Sequence, residues 1–242
     1  MSTPKTQLQA EHLTIGYGDK IVQQDLSFSL MAGEMVCMLG PNGCGKSTLL
    51  RTLADLQPVL SGSYRLSVQQ SAKAIALVLT ERVSIDNTTI HDVVAMGRHP
   101  YTSFLGTLSA EDERIIAASL EAVGVGELNN YFNDLSDGEK QRVLIAKALA
   151  QQTPLILLDE PTAHLDLPNR ILVLRLLRRL AHEEGKTVLI STHELDLALQ
   201  LSDRIMLMSP RQGGIRLDTA QNLIASDAFT EAFHMDIFHP LD

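Results

Sequence analysis

The sequence predicts an α/β fold: a parallel-sheet core, an N-terminal antiparallel β unit and an inserted helical unit. Three observations carry this. Short apolar runs at residues 34–39, 74–79, 155–158 and 187–191 read as strands buried on both faces. Helical patterns lie between them, and strands alternating with helices build a parallel sheet covered on both sides. Residues 1–30 alternate with period two instead, the pattern of an antiparallel hairpin.

Leu13, Ile15 and Tyr17 alternate with polar or small neighbours, Gly18-Asp19-Lys20 makes a turn, and Leu26, Phe28 and Leu30 alternate again. Residues 34–39 then form a buried strand that meets a glycine-rich loop, followed by a helix over 46–54. Residues 74–79 are the next strand. From Thr89 to Val123 the pattern is helical: Ile90, Val93 and Val94 share a face, and Ser109 opens the helix that carries Ile115, Ile116 and Leu120. Residues 135–150 are a further helix with its own cap. Strands 155–158 and 187–191 flank a helix at 169–184, whose Arg170, Arg175, Arg178 and Arg179 punctuate the leucines and read as its wet face. The stretch after Pro210 has weak periodicity and reads as small surface helices. No internal repeat or low-complexity tract interrupts the chain. The expectation is a single domain over residues 1–242, with a helical insert at about 85–145.

Of the 242 residues, 45% are hydrophobic and 20% charged, enough apolar surface for a packed core. Lys and Arg number 20 against 29 Asp and Glu, a net charge of -9, which argues against a nucleic-acid partner. Aromatics are 4% with no Trp, which argues against a base-stacking platform. No apolar run approaches the ~18 residues of a membrane span. The start, Met1-Ser2-Thr3-Pro4, lacks the apolar segment of a secretory signal. Two cysteines, Cys37 and Cys44, exclude a disulfide framework and fit a reducing compartment.

Gly40, Pro41, Asn42, Gly43, Cys44, Gly45, Lys46 and Ser47 fit G-x-x-x-x-G-K-[ST], with a strand before and a helix after. Glycines let backbone N–H groups curl around a polyphosphate, and the helix points its positive end at the same anion. Lys46 adds charge at the β/γ-phosphates, and the Ser47 hydroxyl is available to Mg²⁺. Cys44 is either a thiol made acidic by the helix N-terminus or a tolerated small residue.

Asp159 and Glu160 end an apolar strand, where α/β sheets bind ligands. Asp159 suits a Mg²⁺ shell, and Glu160 suits polarising an attacking water. His193 follows another strand, either as a structural residue or as an acid-base or hydrogen-bonding group at the γ-phosphate. Ser136 and Glu139 have the spacing of a capping box. That box leaves Gly138, a poor helix former in the first turn, unexplained. A glycine there exposes backbone N–H groups to an incoming anion.

Together these segments resemble an ATP-binding cassette (ABC) ATPase over residues 8–208. The resemblance rests on order and spacing: Walker A at 40–48, the signature at 135–141, Walker B at 155–160, the D-loop Ala163-His164-Leu165-Asp166, and the switch histidine His193. It implies ATP and Mg²⁺ as cofactors and a head-to-tail dimer with ATP sandwiched between the two subunits. It implies that Gly40, Pro41, Asn42, Gly43, Cys44, Gly45, Lys46, Ser47 and Thr48 bind ATP. Tyr17 matches the aromatic that stacks on adenine, its alternative being a core position in a strand. Ser47 and Asp159 would hold Mg²⁺, and Glu160 and His193 would be catalytic. Ser136, Asp137, Gly138 and Glu139 would face the opposite subunit's ATP, with Asp166 in the D-loop. The signature departs from the family's Leu-Ser-Gly-Gly-Gln at Asp137 and Glu139. The Q-loop glutamine is replaced by Thr80, followed by Glu81, and one of these two is expected to sense the metal.

Val93-Val-Ala-Met-Gly-Arg98-His-Pro-Tyr101, with Phe104 and the segment 108–112, resembles the helical insert of importers for iron–siderophore complexes, haem or cobalamin. There the insert receives a coupling helix of the permease, and Tyr101 and Phe104 are either partner-facing anchors or part of the insert's own core. The resemblance implies an ATP-hydrolysing energy-coupling subunit, peripheral on the cytoplasmic face of the inner or plasma membrane. Its partners would be integral membrane permease subunits, a second copy of itself and, indirectly, an extracytoplasmic binding protein, with no nucleic acid. Two other classes compete. A soluble ABC ATPase of the cluster-assembly type would lack a reason for the Gly-Arg-His-Pro-Tyr insert. A phosphate-loop kinase would not need Leu-Ser-Asp-Gly-Glu. His234 and His239 are too few for a metal centre.

Overall fold

The computed structural model describes residues 5–68, 72–79, 86–103, 106–126, 130–209 and 214–233. Strands β1 (Thr6–Tyr17) and β2 (Lys20–Met31) form the expected hairpin, with Leu8 opposite Leu30 and Leu13 opposite Leu26. After β3 (Met35–Leu39) and helix α1 (Lys46–Leu53), strand β4 (Ser61–Leu66) pairs with the free edge of β1. The resulting sheet has the order β2-β1-β4.

The second sheet is the core. Its order is β5 (Ile75–Val78), β6 (Leu155–Asp159), β7 (Thr187–Ser191), β3, β8 (Arg204–Met208), β9 (Ile215–Asp218). The first five strands are parallel, and β9 closes the edge antiparallel to β8. Every residue of β3, β6 and β7 is buried, as their continuous apolar runs require. Alternate residues serve opposite layers. Val36, Met38, Leu157 and Leu189 pack under the β1–β2 hairpin and α1, while Cys37, Leu39, Leu158 and Ile190 pack in the layer that holds the helices. The chain after Pro210 differs from its expectation: β9 comes first, and only then the small helices α7 (Ala220–Ala225) and α8 (Ala228–Phe233).

Between β5 and β6 come α2 (Ile90–Ala95), α3 (Ala110–Ala122) and α4 (Asp137–Ala150). Each opens with a complete capping box: Thr89 with Asp92, Ser109 with Asp112, and Ser136 with Glu139. The segment Met96–Tyr101 is a tight 3₁₀ turn laid on α4. Arg98 is buried there and donates from Nε to Asp112 Oδ1 at 2.8 Å and from Nη1 to Ala150 O at 2.7 Å. The Ser109 hydroxyl and N–H, with the Arg98 guanidinium, hold the Asp112 carboxyl down at about 2.

Tyr101 stacks on Arg98, 4.0 Å from guanidinium carbon to ring centroid, and its hydroxyl donates to Gln151 O at 2.9 Å. These contacts hold a partly buried Tyr101 ring against Arg98 and the end of α4. Phe104 lies outside the described residues. Gly97 lets the turn approach α4, because a Cβ there would sit 2.3 Å from Lys147 O. Gly97→Ala is therefore expected to cost about 1–3 kcal/mol, a fall of roughly 2–12 °C in Tm. A thermal melt checks this, and an unchanged Tm would mean the turn moves off α4 without cost.

Helix α5 (Leu167–Glu184) buries Val173, Leu174, Leu177 and Leu180 and leaves Arg175, Arg178 and Arg179 exposed, as its pattern requires. Two residues depart from it. Leu172 is exposed, and Arg170 is half-buried in contacts described below.

Candidate functional site

The phosphate loop joins the end of β3 to α1. Gly45, the residue before the helix, has φ 106°, a left-handed backbone that glycine adopts without strain. Lys46 is 6% exposed, and its Nζ donates to Gly40 O at 2.8 Å and Pro41 O at 3.2 Å. Among the described residues no carboxylate pairs with it. An ammonium buried among carbonyl dipoles is short of a counter-anion, and a phosphate supplies one.

Parallel pairing of β6 and β7 sets Asp159 opposite Ser191 and so brings the two strand ends together. The Asp159 carboxylate is buried and accepts at Oδ1 from the Ser47 hydroxyl at 3.1 Å and the Ser191 hydroxyl at 2.6 Å. The Glu160 N–H donates back to Ser191 Oγ at 3.0 Å. Glu160 itself turns out of the strand at φ 47°. Its Oε1 lies 2.7 Å from His193 Nε2. This pairing places His193 beside Glu160. The hard oxygen set of Ser47 and Asp159 fits a Mg²⁺ ion.

Tyr17 is half-exposed, and its hydroxyl lies 3.1 Å from Thr48 Oγ1. It stands at the side of a cleft of about 300 Å³ whose lining includes Lys20, Val22, Asn42, Gly43, Gly45, Lys46, Ser47, Thr48 and Glu160. It is thus on the loop's side of the hairpin and outside the core. Cys44 is buried, and that burial raises its thiol above the ordinary value despite Lys46 beside it. The acidic-thiol alternative fails, and the small-residue reading stands.

The signature residues lie elsewhere. Ser136 caps α4: its hydroxyl donates to Glu139 Oε2 at 2.6 Å, and its N–H donates to the same oxygen at 2.9 Å. The Ser136 hydroxyl holds the Glu139 carboxyl below its ordinary value. Gly138 is buried, and a Cβ there would sit 2.9 Å from the Asn169 side chain. Asp166 caps α5 and accepts from Asn169 N at 3.1 Å and Asn169 Nδ2 at 2.7 Å. None of Ser136, Asp137, Gly138 or Glu139 lines the cleft that holds Lys46. Thr80 and Glu81 lie outside the described residues, as do His234 and His239.

Two residues of the site escaped the sequence reading. Ser191 binds Asp159 and Glu160 together, and its only signal is a hydroxyl ending a buried strand. Arg170, read as wet-face, donates from Nε to Leu165 O at 2.6 Å in the D-loop segment and pairs through Nη1 with Glu194, the residue after His193. Among the described residues no trio of His, Cys, Asp or Glu forms a further metal cluster, and no helix is long and apolar enough to cross a membrane.

Comparison with known proteins agrees with this geometry. The ABC transporter family profile matches residues 23–163, more than half of the chain. The iron(3+)-hydroxamate import ATP-binding protein FhuC of Bacillus subtilis is 37% identical over 238 residues, covering 95% of this chain and 88% of that protein. An ABC transporter of the metal-chelate type, solved in an inward-facing conformation, superposes with a TM-score of 0.86 at 30% identity, covering 96% of this chain and 90% of that one. A dimeric ATP-binding cassette in a post-hydrolysis state, bound to ADP and Pi, gives a TM-score of 0.73 at 27% identity over 88% of this chain and 98% of that one.

Proposed function

The chain belongs to the ABC transporter family and is an ATPase, and from that premise we propose that it is the energy-coupling subunit of an importer for iron–siderophore-type cargo. Similarity to the FhuC protein supports the cargo class. The observation that carries the mechanism is the separation of two half-sites. Lys46, Ser47 and Glu160 line one cleft, and Ser136 and Gly138 lie outside it. A head-to-tail dimer completes the site by bringing the partner's signature segment onto the γ-phosphate, and the dimeric cassette it resembles supports that arrangement.

Within the cleft each residue has a task. The Gly43 and Gly45 N–H groups and the Lys46 ammonium take the β- and γ-phosphate charge. Tyr17 offers its ring to the adenine. When bound, Mg²⁺ would be held by Ser47 and Asp159 and would supply the charge that neutralises the triphosphate. The Glu160 carboxylate accepts the proton of the attacking water. His193, donating from Nε2 to Glu160 Oε1, keeps that oxygen aimed. Asp166, through Asn169, links the D-loop to the signature helix, and Arg170 links it to the residue beside His193. Contacts made across a dimer therefore reach the catalytic pair through two side chains.

The segment at about 85–145 is the inserted helical subdomain and receives the permease, which places the protein peripherally on the cytoplasmic face of the membrane. A tagged pull-down from solubilised membranes, using Glu160→Gln with ATP to hold the closed dimer, is expected to bring down a polytopic permease in near-stoichiometric yield. Purely soluble partners, with all of the protein in the cytosol, would favour the permease-free ATPase instead.

A further inference from the structure

We propose that Gln23 is a positioning residue for the phosphate loop, fixing the Cys44–Gly45 peptide from outside the cleft and so raising the affinity for ATP. The inference rests on the reading of that loop as the ATP site. Gln23 lies on β2 and is 0% exposed. Its Nε2 donates to Cys44 O at 2.8 Å and to Ser209 O at 2.7 Å. One carboxamide thus joins three parts of the chain: the N-terminal hairpin, the phosphate loop and the chain leaving β8.

The amide is not there for packing. Its Oε1 is buried and has no hydrogen-bond partner among the described residues. An unsatisfied buried acceptor carries a desolvation cost that an apolar side chain of the same size would avoid. What Gln23 provides is its two donated bonds, and one of them goes to a backbone carbonyl of the phosphate loop. The Cys44–Gly45 peptide is trans, so its N–H points opposite to its C=O. With Cys44 O held by Gln23, the Gly45 N–H faces away from Gln23, and Gly45 lines the cleft. The neighbouring Val22 supports the same peptide: a Cβ on Gly45 would lie 2.8 Å from Val22 Cγ1. The bond to Ser209 O ties this peptide to the parallel sheet as well as to the hairpin. The loop N–H is thereby oriented before the anion arrives, and an ordering cost is removed from binding.

The test is calorimetric titration of the full chain with ATP in the absence of Mg²⁺, together with a nucleotide-free thermal melt. Gln23→Leu keeps the volume and removes both donors. It is expected to weaken ATP binding about tenfold, the worth of one or two ordinary hydrogen bonds, while Tm stays within a few degrees. In Mg²⁺-dependent hydrolysis, KM rises in proportion and kcat holds. Gln23→Met, which keeps the length and has no donor, is expected to lose affinity similarly. Gly97→Ala is the control for general destabilisation and keeps wild-type affinity. Equal affinity in wild type and Gln23→Leu overturns the proposal, as does an equal loss in Gly97→Ala. No ATP binding by the wild type would instead overturn the ATP-site reading beneath it.

Discussion

Glu160→Gln is expected to slow ATP hydrolysis by about two to four orders of magnitude, the usual worth of a positioned general base, with ATP affinity within about twofold. The amide is nearly isosteric, and its carbonyl oxygen still accepts from His193 Nε2, which lies 2.7 Å from Glu160 Oε1. The backbone at this position is held independently of the side chain, since the Glu160 N–H donates to Ser191 O at 3.1 Å and to Ser191 Oγ at 3.0 Å. Only the capacity to take a proton is lost. With the chemical step blocked and binding intact, ATP should hold the dimer closed. A phosphate-release assay and size-exclusion chromatography with and without ATP read the two halves separately. A fall of less than about tenfold would place the base elsewhere. Thr80 and Glu81, expected from the sequence to stand at the Q-loop position, would then be the next residues to change.

The sequence showed most of what depends on near neighbours. Runs such as Leu155-Ile-Leu-Leu158 read as strands buried on both faces, and they proved so. The Ser109 and Ser136 caps were readable because each box closes within four residues. The phosphate loop and the Asp159-Glu160 pair are local patterns too. Features that depend on contacts far along the chain were not readable. Strand β4, Ser61-Gly-Ser-Tyr-Arg-Leu66, is mostly exposed at a sheet edge and carries little apolar signal. Nothing near Tyr101 in the sequence indicates that Gln151, fifty residues away, will accept its hydroxyl hydrogen bond. Ser191 and Arg170 acquire their roles only once the strand order puts β6 beside β7. At Cys44 a local rule gave one direction and the fold the other: a helix N-terminus lowers a thiol's pKa, but burial here outweighs it. Gln23 sits among alternating residues of a half-buried hairpin, and nothing nearby in the sequence indicates that Ser209 will meet it.

Lys46→Met should abolish the response to nucleotide while leaving the fold standing. The ammonium is buried and bonded to Gly40 O and Pro41 O, so its loss has two consequences with different readouts. The first is structural and small, because Met fills most of the same space and each lost bond is worth about 1 kcal/mol net. The second is electrostatic and large. Without Lys46, the charge-assisted bonds to the β- and γ-phosphates, about 1.5–3 kcal/mol each, disappear from a site already in a chain of net charge -9. Affinity should drop by two orders of magnitude or more. Thermal shift separates the two. At an ATP concentration near a hundred times Kd, binding stabilises the wild type by about 2.7 kcal/mol, which for a chain of this size is roughly 5–10 °C in Tm. The variant is expected to melt up to about 8 °C below the nucleotide-free wild type and to show no upward shift with ATP. A wild-type-sized shift in Lys46→Met would mean that backbone N–H groups alone carry the phosphate, and the weight assigned to the buried ammonium would be wrong.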